Sequence, residues 1–148
     1  MSSTGYLLDV NFLVALAWPN HLSHAQAKAW FLRDRTVPFA TCPITEAGFV
    51  RISMNPLVVT EQVSLEAALR LLGLYQTRYA HVFWNDDLPL GQALGAFAHL
   101  TGHRQITDAY LLALAASKGG ALVTFDQTLA TQAPEQFRDR VVLVDGAP

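Results

Sequence analysis

Residues Gln105 to Asp126, QITDAYLLALAASKGGALVTFD, decide the fold. The first half is Ala and Leu with almost no polar interruption, which predicts a core helix. Thr107 is placed to cap it, and Asp108 in its first turn is favoured by the helix dipole. Lys118 followed by Gly119 and Gly120 is a stop signal, a cation and then residues tolerant of the left-handed conformation. ALVTF then reads as a short buried strand closed by Asp126. A helix of about ten residues is roughly 15 Å long, and a strand of about five residues at ~3.3 Å each returns a similar distance. The start of the helix and the end of the strand therefore share one edge of the domain, and Asp108 and Asp126 are expected to be neighbours.

The chain around this stretch has 148 residues, enough for one domain spanning 1–148 with a real core. It is 51% hydrophobic and 15% charged, which argues against disorder. A net charge of −2 leaves no footprint for non-specific nucleic-acid binding, so any such partner would need a local basic patch or bound metal. The single cysteine, Cys42, excludes an internal disulfide framework, reads as a small buried hydrophobe and suits a reducing compartment. No apolar run is long enough to span a bilayer and MSSTG lacks the features of a signal peptide, so a cytoplasmic location is expected.

Working outward, Tyr6 to Leu8 is a brief strand running into Asp9, and VNFLVALAW a buried helix halted at Trp18-Pro19-Asn20. A helix over His21 to Arg33 would turn Ala25, Ala29 and Leu32 inward. Phe39 to Cys42 is a second strand, followed by a helix with Pro43 in its first turn, Glu46 near its start, and Phe49, Val50 and Ile52 toward the core. Ser64 to Arg78 is amphipathic through Leu65, Ala68, Leu69, Leu72 and Tyr75. Ala80 to Trp84 is a third strand, Leu90 to Leu100 a helix of small residues, Thr128 to Phe137 a helical turn broken at Pro134, and Val141 to Val144 a last strand. Strands alternating with helices imply an α/β fold: a parallel β-sheet sandwiched by helices, with ligands at the carboxyl ends of the strands.

Of the twelve acids, Asp9, Glu46, Asp108 and Asp126 stand beside apolar runs and fall at one sheet edge; the other eight occupy polar or turn contexts. Each of the four also has a plain structural role open to it, as a helix cap, a dipole partner or a turn residue. Carboxylates converging in a partly buried cleft repel one another and resist desolvation. Arg51, Arg104 and Lys118 are the nearest bases in sequence. An all-oxygen acidic site suits Mg²⁺ or Mn²⁺, and no Cys/His spacing reads as a zinc site. Asn11 and Thr124 stand two residues from Asp9 and Asp126, where they could orient carboxylates or metal-bound waters, or serve as cap and strand packing.

LLDVN, TEAGFVR, TDAYLLALA and LVTFD, in that order along nearly the whole chain, resemble the PIN-domain ribonucleases, in particular VapC-type toxins of bacterial toxin–antitoxin modules. The resemblance implies that Asp9, Glu46, Asp108 and Asp126 are the metal-binding acids, with Asn11 and Thr124 supporting them. It implies Mg²⁺- or Mn²⁺-dependent cleavage of RNA phosphodiester bonds by a metal-activated water, on a structured RNA such as transfer or ribosomal RNA. It also implies a cognate VapB-type antitoxin and a homodimer. Around the fourth acid the chain departs from many relatives, with Phe125 before it and Gln127 after, so direct and water-mediated ligation by Asp126 are both open.

Other residues have competing readings. His21 and His24 are a possible ligand pair or a solvated helix face. His103 and Arg104 stand near enough to Asp108 to touch a phosphate, or serve as surface groups. Arg51 could hold Glu46 or contact substrate. Trp18, Trp30 and Trp84 suit core or interface anchors better than base-stacking platforms. Two rival functions remain on residues alone: a phosphoryl-signalling receiver, disfavoured because the first strand ends in one acid and the last is followed by Asp145 in place of Lys, and a non-catalytic RNA- or protein-binding module with a degenerate site, disfavoured by four intact acids.

Overall fold

The computed structural model describes residues 3–33, 36–97, 100 and 102–148, without the side chain of Arg104. Its five strands are β1 (Tyr6–Leu8), β2 (Phe39–Thr41), β3 (His81–Phe83), β4 (Ala121–Thr124) and β5 (Val141–Leu143). They form one sheet in the order β3-β2-β1-β4-β5, with every pairing parallel. Seven α-helices among the described residues connect and cover them: α1 (Val10–Ala17), α2 (His24–Phe31), α3 (Pro43–Ser53), α4 (Leu65–Arg78), α5 (Leu90–Leu94), α6 (Ile106–Ser117) and α7 (Gln127–Gln132). This is the expected parallel sheet between helical layers. A receiver of the flavodoxin-like type would order its strands 2-1-3-4-5, which this sheet does not.

Alternation along the strands divides the core in two. Leu7, Ala40 and Leu122 face a cluster with Leu111, Leu112 and Leu114 of α6, while Leu8, Phe39 and Val123 face another with α1, Phe31 and Phe49. Chain connections leave the carboxyl ends of β1 and β4 toward opposite edges of the sheet. A crevice at such a reversal is the usual ligand site in open parallel sheets. Gly119 takes φ +75° directly after Lys118, the left-handed stop that the sequence predicts for α6.

Several local expectations are corrected. Thr107 does not cap α6: a 3-10 turn at His103–Gln105 feeds directly into the helix, and Gln105 is the capping residue. The buried face of α2 is Ala27 and Phe31, because the larger aromatic surface claims the core; Ala25, Ala29 and Leu32 are exposed. On α4 only Ala68 and Leu72 are buried, while Leu65 and Leu69 are 53% and 51% exposed. On α3 the expectation holds: Phe49 is fully buried in the core, and Val50 and Ile52, half-buried, pack against the same cluster. α5 passes into a 3-10 turn at Gly95–Phe97, and the expected continuation to Leu100 includes residues outside the described ones. Pro134 does break the segment after β4, between α7 and a 3-10 turn at Glu135–Arg140.

Candidate active site

Asp9 leaves β1 and caps α1, its Oδ1 accepting from Phe12 N–H at 2.8 Å. Its Oδ2 accepts from the Thr124 hydroxyl at the end of β4. Thr124 in turn accepts from the Asp126 N–H at 3.0 Å, so one hydroxyl ties the first and last of the acids together across the β1–β4 seam. Asp126 caps α7 through Leu129 N–H at 3.1 Å. Asp108 stands in the first turn of α6, half-buried, at the same edge. The capping readings of Asp9 and Asp126 therefore hold, and they coexist with convergence: Asp9, Asn11, Asp108, Thr124, Phe125 and Asp126 line one open cavity of about 270 Å³.

Electrostatics make this cavity unlike the rest of the surface. Asp9 is 4% exposed, and burial pushes its carboxyl up to about 7, against the hydrogen bonds from Thr124 and Phe12 and helped by the charges of Asp108 and Asp126. Asp108 is pushed up to about 6, by burial and then by Asp126. The two ion pairs among the described residues, Arg70–Glu66 and Lys118–Asp87, lie elsewhere. Three carboxylates thus share a cavity with no described basic partner, which is the donor set a hard divalent cation fits.

Glu46 is placed at the same sheet edge, in the first turn of α3, but does not line that cavity. Its Oε2 accepts from Thr41 Oγ1 at 2.7 Å and from Gln76 Nε2 at 2.9 Å. As the side chains stand, no three acidic, histidine or cysteine groups among the described residues converge on a single ion. Gln76 and His81 escaped sequence reading because they carry no motif and lie far from Glu46 in other elements; Thr41, five residues before Glu46 and buried at the end of a strand, was the one available hint.

The remaining singled-out residues resolve to other roles. His21 Nδ1 accepts from Ser23 N–H and His24 Nδ1 donates to Ala15 O, so each ring is tied to backbone through one nitrogen. Arg51 is exposed and makes no ion pair with Glu46 among the described residues. His103 is exposed, and the Arg104 side chain lies outside the described residues. Cys42 is fully buried and Trp84 packs in the core; Trp18 donates to Ser53 Oγ at 2.8 Å, and Trp30 meets Tyr6 and Phe12 edge-on.

Comparison with known families matches the PIN domain over residues 6–133. The chain belongs to the PIN-domain family. Within it the similarity is to VapC proteins of Mycobacterium tuberculosis: 48% identity over 129 residues to ribonuclease VapC39 of strain ATCC 25618 / H37Rv, covering 86% of this chain and 92% of that one. It is 46% identical over 132 residues to ribonuclease VapC38 (87% and 92% covered) and 40% over 129 residues to ribonuclease VapC44 (86% and 89%), both of the same strain.

Proposed function

We propose that this chain is the endoribonuclease toxin of a VapC-type toxin–antitoxin module, cutting a structured RNA such as transfer or ribosomal RNA with a divalent ion, Mg²⁺ or Mn²⁺, held by Asp9, Asp108 and Asp126 and joined by Glu46. The observation that carries this reading is the convergence of Asp9, Asp108 and Asp126 on one cavity that no described base neutralises, where burial raises the carboxyls of Asp9 and Asp108. The names of the relatives support RNA as substrate. When bound, the ion would supply charge neutralisation at the phosphate and a water acidic enough to attack it.

The chain's own groups do the rest. Thr124 holds Asp9 and the Asp126 backbone in one register, so two carboxylates from different loops keep a fixed separation. Phe12 N–H fixes the other oxygen of Asp9. Asn11, exposed at the cavity rim, is an amide placed to donate to a phosphate or to orient water. Without the ion the carboxylates would repel an RNA phosphate, so binding and cleavage depend on it together. Among the described residues no helix is long and apolar enough to cross a membrane. A cytoplasmic protein working as a homodimer with a VapB-type antitoxin completes the reading.

The test is cleavage of purified transfer and ribosomal RNA with Mn²⁺, with excess chelator, and with Asp108→Asn. Chelation should abolish cutting, and loss of a direct ligand should exceed the roughly 10–100-fold typical of outer partners. Full cleavage in chelator would overturn the metal reading.

A further inference from the structure

We infer that Gln76 and His81, the latter through Thr41, are positioning residues that hold the Glu46 carboxylate so that Oε1 is the oxygen it presents to a divalent cation. The inference rests on the metal-dependent reading above. Its observations are separate from that reading, since none of the three partners lines the acidic cavity.

Both hydrogen bonds that Glu46 receives fall on the same oxygen. Thr41 Oγ1 donates to Oε2 at 2.7 Å and Gln76 Nε2 donates to it at 2.9 Å. A carboxylate oxygen has about two lone-pair sites, so these donors saturate Oε2. Among the described residues nothing bonds Oε1, which keeps its lone pairs. Thr41 has a single hydroxyl proton, committed to Glu46. His81 Nε2, 2.7 Å from the same hydroxyl oxygen, must therefore be the donor there. Gln76 makes a longer contact to that oxygen at 3.3 Å. With the imidazole in place the threonine oxygen is occupied and its proton is directed at Glu46; without it the hydroxyl is free to rotate.

The three groups come from β2, α4 and β3, none of which contributes a side chain to the cavity of Asp9, Asp108 and Asp126. Glu46 is only half-buried and water could solvate it. Fixing one oxygen by donors from two elements, one of them held by His81 of a third, instead costs side-chain freedom, and what it secures is a single carboxylate orientation. Outer partners of this kind set the geometry and affinity of ligating carboxylates.

The test is Mn²⁺ affinity by isothermal titration calorimetry on the full chain, for the parent, Gln76→Met, His81→Ala, His81→Gln and Asp9→Asn. Gln76→Met keeps the volume and removes the donor; His81→Gln keeps a terminal N–H for Thr41. Gln76→Met and His81→Ala should each weaken Mn²⁺ binding about 10-fold or more, and His81→Gln should stay closer to the parent than His81→Ala does. RNA cleavage by the two weakened variants should recover as Mn²⁺ is raised, which a general loss of structure would not allow. If Gln76→Met and His81→Ala bind Mn²⁺ as the parent does while Asp9→Asn does not, the positioning role is overturned and the metal site stands. If the parent itself binds no Mn²⁺, both fall. Should His81→Ala not fold, Gln76→Met alone decides, because its near-isosteric side chain leaves packing in place.

Discussion

Asp9 caps α1, accepts a hydroxyl from β4 and sits in the core with 4% of its surface exposed. Burial raises its carboxyl from the ordinary 3.8 to about 7, so in the metal-free protein the folded state holds a proton that the unfolded chain releases. The contribution to stability is complete below pH 3.8 and is lost as pH rises through about 7. Asn at this position removes the titration and keeps an acceptor for Phe12 N–H. In chelator, Asp9→Asn should therefore become more stable than the parent above pH 7, by at most roughly 4 kcal/mol at ~1.4 kcal/mol per pH unit, with the gap closing as pH falls toward 4. Urea midpoints of both proteins across that range check this; parallel curves would contradict it. Metal reverses the sign, because ligation needs the deprotonated forms of Asp9 and Asp108. Mn²⁺ affinity should rise with pH between about 5 and 8 in the parent, by up to roughly tenfold per unit for each proton displaced, as titrations at several pH values would reveal. At this scale the acids themselves were legible, since a charge after YLL or ALVTF is out of place in an apolar run. The hold of Gln76 on Glu46, and of His81 on Thr41 beside it, was not, because side chains 30 to 40 positions distant meet only through the fold.

α1 and α3 bring Asp9 and Glu46 to one edge, and they approach closely because Gly48 has no side chain. A Cβ there would lie 2.6 Å from Val10 Cγ2 and 3.0 Å from Cγ1. Val is stiff at χ1, so its methyls do not swing aside easily. Gly48→Ala should destabilise by about 1–3 kcal/mol through overpacking, less up to about 1 kcal/mol of helix propensity gained. Val10→Ala removes the obstructing methyls, so the double variant should be more stable than the sum of the single changes predicts by about 1 kcal/mol. Chemical denaturation of the four proteins measures that coupling, and strict additivity would refute the contact. Helix existence was legible from periodicity, whereas helix orientation was less so. On α2 the alanines suggested one face and Phe31 took the other; on α4 a stripe of leucines repeats at helical spacing, yet Leu65 and Leu69 remain in solvent. Periodicity reports that a face is apolar without reporting what it meets.

The described residues form a parallel sheet with a core on each side, its acids at the carboxyl edge and a close approach of Gly5, Gly120 and the Trp84 ring at the other. Gly120, before β4, has the Trp84 ring where a Cβ would stand, 2.4 Å from Cη2, and Gly5 O at 2.5 Å. Backbone cannot yield as a side-chain tip can, so Gly120→Ala should cost about 2–3 kcal/mol, or roughly 5–10 °C in Tm. The site lies at the far end of β4, so Mn²⁺ affinity of the folded variant should remain within about twofold; calorimetry and titration together test this separation of stability from function. The architecture was legible because each short apolar run ends in turn or helix signals, and parallel order follows from the helices between them. Convergence of the acids was legible to the extent that all parallel strands point the same way; the side-chain directions were not, and Glu46 stands outside the cavity that the other three share. The most direct measurement is anomalous diffraction from a crystal grown with Mn²⁺. The account predicts a manganese peak in the cavity bounded by Asp9, Asp108 and Asp126, with Glu46 Oε1 drawn toward it. A well-ordered map at saturating Mn²⁺ with no peak among those carboxylates would contradict it.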